Sequence, residues 1–158
     1  MRKTIAAVRP VPETSQRTWL DLDELAQVEV SSEDAEHPIE AALRAADADS
    51  LGWRASEPGA QTIRLRFDVP QRVNRIRLVF NETETSRVQE FVLRWALSDD
   101  TTWREIVRQQ YTFSPPGTTS EVEEYVVNLD SVGVLVLRIV PDISGGDARA
   151  SLAEWRLA

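Results

Sequence analysis

"GAQTIRLRFDVPQRVNRIRL", residues 59–78, decides the fold class. Ile63, Leu65, Phe67 and Val69 alternate with Arg64, Arg66 and Asp68. After Val69-Pro70 the alternation resumes, with Ile76, Leu78 and Phe80 set against Arg75 and Arg77. A period of two places the apolar side chains on one face of an extended strand and the arginines on the other. The Val-Pro pair reads as a turn between two such strands. Just upstream, "LGWRASEP" (51–58) holds Trp53 between Gly52 and Arg54. It ends in the Pro58-Gly59 break, which redirects the chain into the strand at Gln61.

The same period continues toward the C-terminus. Phe91, Leu93, Trp95 and Leu97 alternate with Glu90, Val92, Arg94 and Ala96, and further strands read at 104–111, 123–129, 134–140 and 148–157. Turn signals separate them at Asn81-Glu82, Asp99-Asp100, Pro115-Pro116-Gly117, Asp130-Ser131 and Gly145-Gly146. Toward the N-terminus, Val28 and Val30 flank Glu29 like a strand. "HPIEAALRAAD" (37–47) reads as a short helix, with Pro38 at its first position and Ile39, Ala42, Leu43 and Ala46 on one face. About eight short strands and one short helix predict an all-β antiparallel β-sandwich. Residues 1–25 read as an N-terminal tail or arm, and 26–158 as the folded domain.

Bulk properties narrow the class. The 158 residues include 42% hydrophobic ones, enough for one core. With no cysteine, a disulfide framework and a thiolate zinc site are both excluded. The apolar stretch Ile5 to Val8 falls short of the about 7–15 residues of a secretory leader. No apolar run approaches the ~20 residues of a membrane span. A cytoplasmic protein is therefore expected. The formal net charge of −8 opposes nucleic-acid binding. The excess of arginine over lysine reads as codon composition, and the arginines of the 62–94 region as a solvated sheet face.

Five segments, in order, resemble one family: "VEVSSED" (28–34), "AALRAADADSLGWRAS" (41–56), the opening stretch, "RVQEFVLRWALSDDTTWREI" (87–106) and "ARASLAEWRL" (148–157). Together they resemble the discoidin-like, or coagulation-factor type C, jelly-roll domains of the galactose-binding superfamily. The resemblance implies a Trp53 that caps the sandwich core and a Trp103 that packs after a hairpin turn. The alternation itself puts Trp95 in the core. Trp19, ahead of the domain, reads as an anchor for the tail.

Catalysis is not expected. The one histidine, His37, reads as a helix-entry residue, and with a single histidine there is little from which to build a nucleophile–base–acid triad. No nucleophile elbow, phosphate loop or dinucleotide fingerprint is present. The neighbouring acids Glu82/Glu84 and Glu121/Glu123/Glu124 read as solvated carboxylates.

The resemblance implies a non-catalytic module that recognises a carbohydrate or similar polar ligand through loops at one end of the sandwich. Arg87 stands where related sugar-binding modules have a sugar-contacting arginine. Arg54, Glu82, Glu84 and Phe113 join it as candidate ligand-binding residues. No cofactor is required. A structural calcium, which takes six to eight oxygen ligands, is the one candidate metal: Asp47 and Asp49 of "AADADS" offer loop carboxylates, and the resemblance implies Glu154 of the closing strand as their partner. The alternative is an intracellular protein–protein interaction domain or assembly subunit, with "RQQYTFSPPGTTSEVEEY" (108–125) as its surface.

Overall fold

The structure, a computed structural model, describes residues 19–44 and 51–158. Among these residues, two helical turns, α1 (Leu22–Leu25) and α2 (Glu40–Leu43), accompany eight strands. These are β1 (Ala26–Val30), β2 (Trp53–Pro58), β3 (Gln61–Asn81), β4 (Arg87–Ala96), β5 (Arg104–Phe113), β6 (Ser120–Val140), β7 (Arg149–Leu152) and β8 (Glu154–Leu157). All strand pairs are antiparallel, as the alternation requires.

Two strands of 21 residues each, β3 and β6, build both layers of the sandwich. Their N- and C-terminal halves respectively, 61–66 and 134–139, pair with each other and sit between β1 on one side and β4–β5 on the other. Beyond the corner, 75–81 pairs with 120–126, and β8 adds to the far side of β3. The register shifts between Arg66 and Gln71, again before Val73, and again before Arg75. Strands that switch layers turn their corners through such irregularities. The turns expected at Val69-Pro70 and Asp130-Ser131 are therefore bends in continuous strands. Pro70, which cannot donate to a ladder, stands where the ladder is interrupted.

Other expectations are corrected as well. The strand expected over 148–157 breaks at Ala153, whose N–H goes to the Val79 carbonyl (2.8 Å), so β7 pairs with β2 and β8 with β3. Residues 53–58, to which the sequence reading gave no strand, form β2. The helix shrinks to one turn that ends at the extended Arg44, with Ile39 as its cap and Pro38 ahead of it. Ala46, expected on its apolar face, lies outside the described residues.

The core lies between the layers, where Phe80 of β3 stacks on Phe91 of β4 (5.1 Å between centroids). Trp53 is fully buried, and its Nε1 donates to the Ser32 carbonyl (3.1 Å), tying β2 to the end of β1. Gly59, with φ of +88°, makes the turn after Pro58 that a side chain would strain. Trp95 and Trp103 are only half-buried: the Trp95 ring lies under Arg104 and the Trp103 ring under Arg64. Of the stretch read as a tail, residues 19–25 lie on the sandwich. The Arg75 guanidinium sits 4.9 Å from the Trp19 ring, the Leu20 N–H reaches the Leu157 carbonyl (2.7 Å), and Leu22 is buried. Among the described residues, no helix is long and apolar enough to cross a membrane.

Candidate functional site

A groove of about 600 Å³ opens at one end of the sandwich. Its base is the β2–β7 ribbon, in which Trp53 is paired with Leu152 and Arg54 with Ser151. Trp53, Ala55, Ala150 and Leu152 point into the core, so the alternation turns Arg54, Arg149 and Ser151 outward into the groove. Gly52 precedes Trp53 with φ of +74°, and its Cα lies so close to the Leu152 carbonyl and Ala153 that a Cβ would clash with both. That close approach seats the ribbon beside β8.

Two loops form the walls. One joins β3 to β4 and supplies Glu82, Thr83, Glu84 and Thr85; the other joins β6 to β7 and supplies Asp142 and residues 145–148. Glu82 Oε2 accepts the Glu84 N–H (3.2 Å), and Asp142 Oδ1 accepts both the Ser144 N–H (3.1 Å) and its hydroxyl (2.7 Å). The Ser144 donors hold the Asp142 carboxyl below its ordinary value. His37 enters from a third segment. Its Nδ1 lies 3.2 Å from Asp34 Oδ2, and its carbonyl accepts the Arg54 N–H (3.2 Å). The Glu36 N–H, followed by the His37 ring, keeps Asp34 below the usual carboxylate range.

Of the five expected ligand-binding residues, the structure brings Arg54, Glu82 and Glu84 to the groove. Arg87 and Phe113 lie beneath it. Arg87 is the first residue of β4, its side chain is 1% exposed, and its Nε donates to Glu82 Oε1 (2.7 Å). Its Nη1 donates to the Pro141 carbonyl (2.7 Å) and to Gln89 Oε1 (3.2 Å). One guanidinium therefore joins both groove loops from below. Phe113 is fully buried under it, with the guanidinium carbon 4.8 Å from the ring centroid, so it supports the arginine and offers no face to a ligand. Burial alone would raise the Glu82 carboxyl, but Arg87 and the N–H groups of Glu84 and Thr85 bring it below its ordinary value.

For the candidate calcium, Asp47 and Asp49 lie outside the described residues. Glu154 is held by two guanidiniums, Arg156 Nε at 2.9 Å and Arg77 Nε at 3.4 Å. Among the described residues, no group of three or more His, Cys, Asp or Glu side chains is placed to hold a metal.

The sequence reading missed His37, Asp142, Asp147 and Arg149 as groove residues. It also missed Glu121, which was read as solvated and is 1% exposed. Position parity carried the signal: Arg87, Gln89, Phe91 and Leu93 share one face of β4, so the first two point inward with the apolar pair.

Solved structures share this architecture. The family 32 carbohydrate-binding module of NanJ from C. perfringens, in complex with galactose, superimposes with a TM-score of 0.61 at 12% identity, covering 88% of this chain and 96% of that one. A second module, CBM32-3 from a family 31 glycoside hydrolase of Clostridium perfringens, reaches 0.65 at 17% identity, covering 91% and 96%. The CBM32 of AlyQ, in complex with 4,5-unsaturated mannuronic acid, reaches 0.60 at 17% identity, covering 85% and 95%. At these identities the likeness is one of fold. No curated protein matches the chain. The F5/8 type C domain model matches residues 27–155, most of the chain and every strand but the margins of β1 and β8, and the chain belongs to that family.

Proposed function

We propose that the protein is a non-catalytic binding module that takes a saccharide in the groove at the loop end. The observation that carries this reading is the groove's mixture of groups on a rigid base. Arg54 and Arg149 supply donors, Glu84 and Asp147 supply acceptors, and His37, whose Nδ1 faces Asp34, lines the same groove. A polyhydroxyl ligand needs both kinds, because each hydroxyl donates once and accepts twice. The solved structures of the same fold that hold galactose and unsaturated mannuronic acid support the choice of ligand class.

The test is retention on immobilised galactose, mannuronate and pectin, for wild type and Arg54→Gln. We expect specific retention of the wild type, lost in the variant while Tm stays constant. Retention on none of the three, with a protein partner co-purifying instead, would replace this reading with that of an interaction domain.

The calcium site on Asp47, Asp49 and Glu154 is carried forward within the proposal. An ion there exchanges places with at least one of the Glu154 arginines, so added calcium raises Tm and chelation lowers it. Linkage gives roughly 2.7 kcal/mol at a hundred times the dissociation constant. A Tm indifferent to both treatments leaves Glu154 to Arg77 and Arg156.

A further inference from the structure

Directly under the groove, the space between the layers is polar. Glu121 of β6 follows Ser120, the register partner of Asn81, and Asn81 and Thr119 both line the groove. Gln89 Nε2 donates to Glu121 Oε1 (3.2 Å), and Gln89 Oε1 accepts from Arg87. An unbroken relay therefore runs from the groove carboxylate Glu82 through Arg87 and Gln89 to Glu121. The other carboxyl oxygen of Glu121, Oε2, is buried without a hydrogen-bond donor. A buried ionised carboxylate with an orphaned oxygen is costly, whereas a protonated one needs only an acceptor.

The surroundings of Glu121 agree on which state that is. On its own strand stand Glu123 and Tyr125, whose hydroxyl lies 3.4 Å from Glu123 Oε2. From β4 come Arg87 and Gln89. From β5 comes Tyr111, whose hydroxyl is spent on the Ser120 carbonyl (2.7 Å), and β3 brings the apolar Phe80, its register partner. A carboxylate beside it on the same strand disfavours a second negative charge at Glu121. Burial first, and Glu123 second, push Glu121 up to about 8.

We infer that the groove is proton-regulated: the proton on Glu121 leaves Arg87 committed to Glu82 and Pro141, and its loss draws Arg87 inward and unties the two groove loops. The device consists of the juxtaposition of one arginine with a surface carboxylate on one side and a buried, amide-relayed carboxyl on the other. As regulation of ligand binding it rests on the reading of the groove as a saccharide site. As a conformational linkage it stands without that reading.

Hydrogen exchange on the full chain without ligand tests it, comparing wild type with Glu121→Gln at pH 6.5 and pH 9. The glutamine reproduces the neutral acid in shape. At pH 6.5 the two proteins should protect the 82–86 and 141–148 amides equally. At pH 9 the wild type should exchange these segments about fivefold faster or more than the variant, the lower end of ordinary coupling between sites. The β1–β3 ladder should remain unchanged. A second variant, Glu123→Gln, removes the neighbour that raises Glu121 and should move the onset to lower pH. Equal protection at pH 9, or a loss spread evenly over all strands, overturns the inference. Retention on galactose and pectin matrices over the same pH range then separates the two ideas. Loop loosening with no retention at any pH leaves the linkage standing and removes the saccharide reading; retention with pH-independent loops does the reverse.

Discussion

Along a single face of β4, Arg87 and Gln89 are followed by Phe91 and Leu93, and all four are buried. The first pair meets Glu82, Glu121 and the Pro141 carbonyl; the second belongs to the apolar core with Phe80, Leu135 and Leu137. One strand thus crosses two interiors of opposite character within seven residues. Apolar packing in the second gains stability in proportion to area removed from water. The polar interior adds little net stability and is easily spoiled, because each partner removed strands another. It fixes two loops in place, which a layer of leucines could not do by directed bonds. The difference separates the part of the molecule that holds the fold from the part that shapes the groove.

Substitutions should reproduce that division. The largest effect is expected at Phe91→Ala, which empties the stacked pair with Phe80 and should cost about 3–5 kcal/mol in urea unfolding. A loss below ~1 kcal/mol would show that the second interior is not the principal core. Arg87→Met comes next, at about 2–3 kcal/mol, because it leaves Glu82 and the Pro141 carbonyl without their donor. A melting curve identical to wild type would return Arg87 to the surface role that its charge implied.

Glu121→Gln differs in sign and depends on pH. The folded state raises the proton affinity of Glu121 to about 8. Its contribution is therefore complete below the ordinary glutamate value and is lost as pH rises through about 8. The variant should match wild type near pH 4.5. Above pH 8.5 it should melt higher, by several degrees. A constant gap across the range would mean that Glu121 titrates alike in the folded and unfolded states. The smallest effect is expected at Arg72→Ala. Its bonds to Asp130 and Asn128 (2.7 Å each) lie in solvent, and exposed pairs contribute about 0–1 kcal/mol.

The period of two made the fold legible. Ile63, Leu65, Ile76, Leu78 and Phe80 do point into the core. The corners were not legible, since Val69-Pro70 and Asp130-Ser131 carry turn chemistry while the backbone stays extended and lets the register slip. Trp95 continues the apolar alternation of β4, but the strand ends at Ala96 and a register shift after Leu93 leaves the ring only half covered. The placement of Arg54, Glu82 and Glu84 beside one groove was legible because loop-end position and charge coincide there. His37, Asp142 and Arg149 were hidden because the groove gathers them from segments distant in sequence. Arg87 and Glu121 were misplaced for one reason: each was read as a charge outside its strand, whereas the strand begins early enough to include it, and its parity with Phe91 or Phe80 turns it inward.

The β3–β6 ribbon also constrains the order in which the chain can assemble. Its nearest rungs join Asn81 to Ser120, and its farthest join Gln61 to Ile139, with the β4–β5 hairpin contained in the intervening chain. The hairpin closes over the loop between Ala96 and Arg104, the most local pairing in this part of the chain. Of the ribbon's rungs, those at the groove end enclose the least chain, and those beyond the corner, where 134–140 also meets β4, enclose the most. Loop closure of that length precedes the contacts that reward it, which places such topologies among the slower, millisecond-to-second folders. The rungs nearest the groove, beside Glu121, thus enclose the least chain, and β8 pairs with β3 next to them.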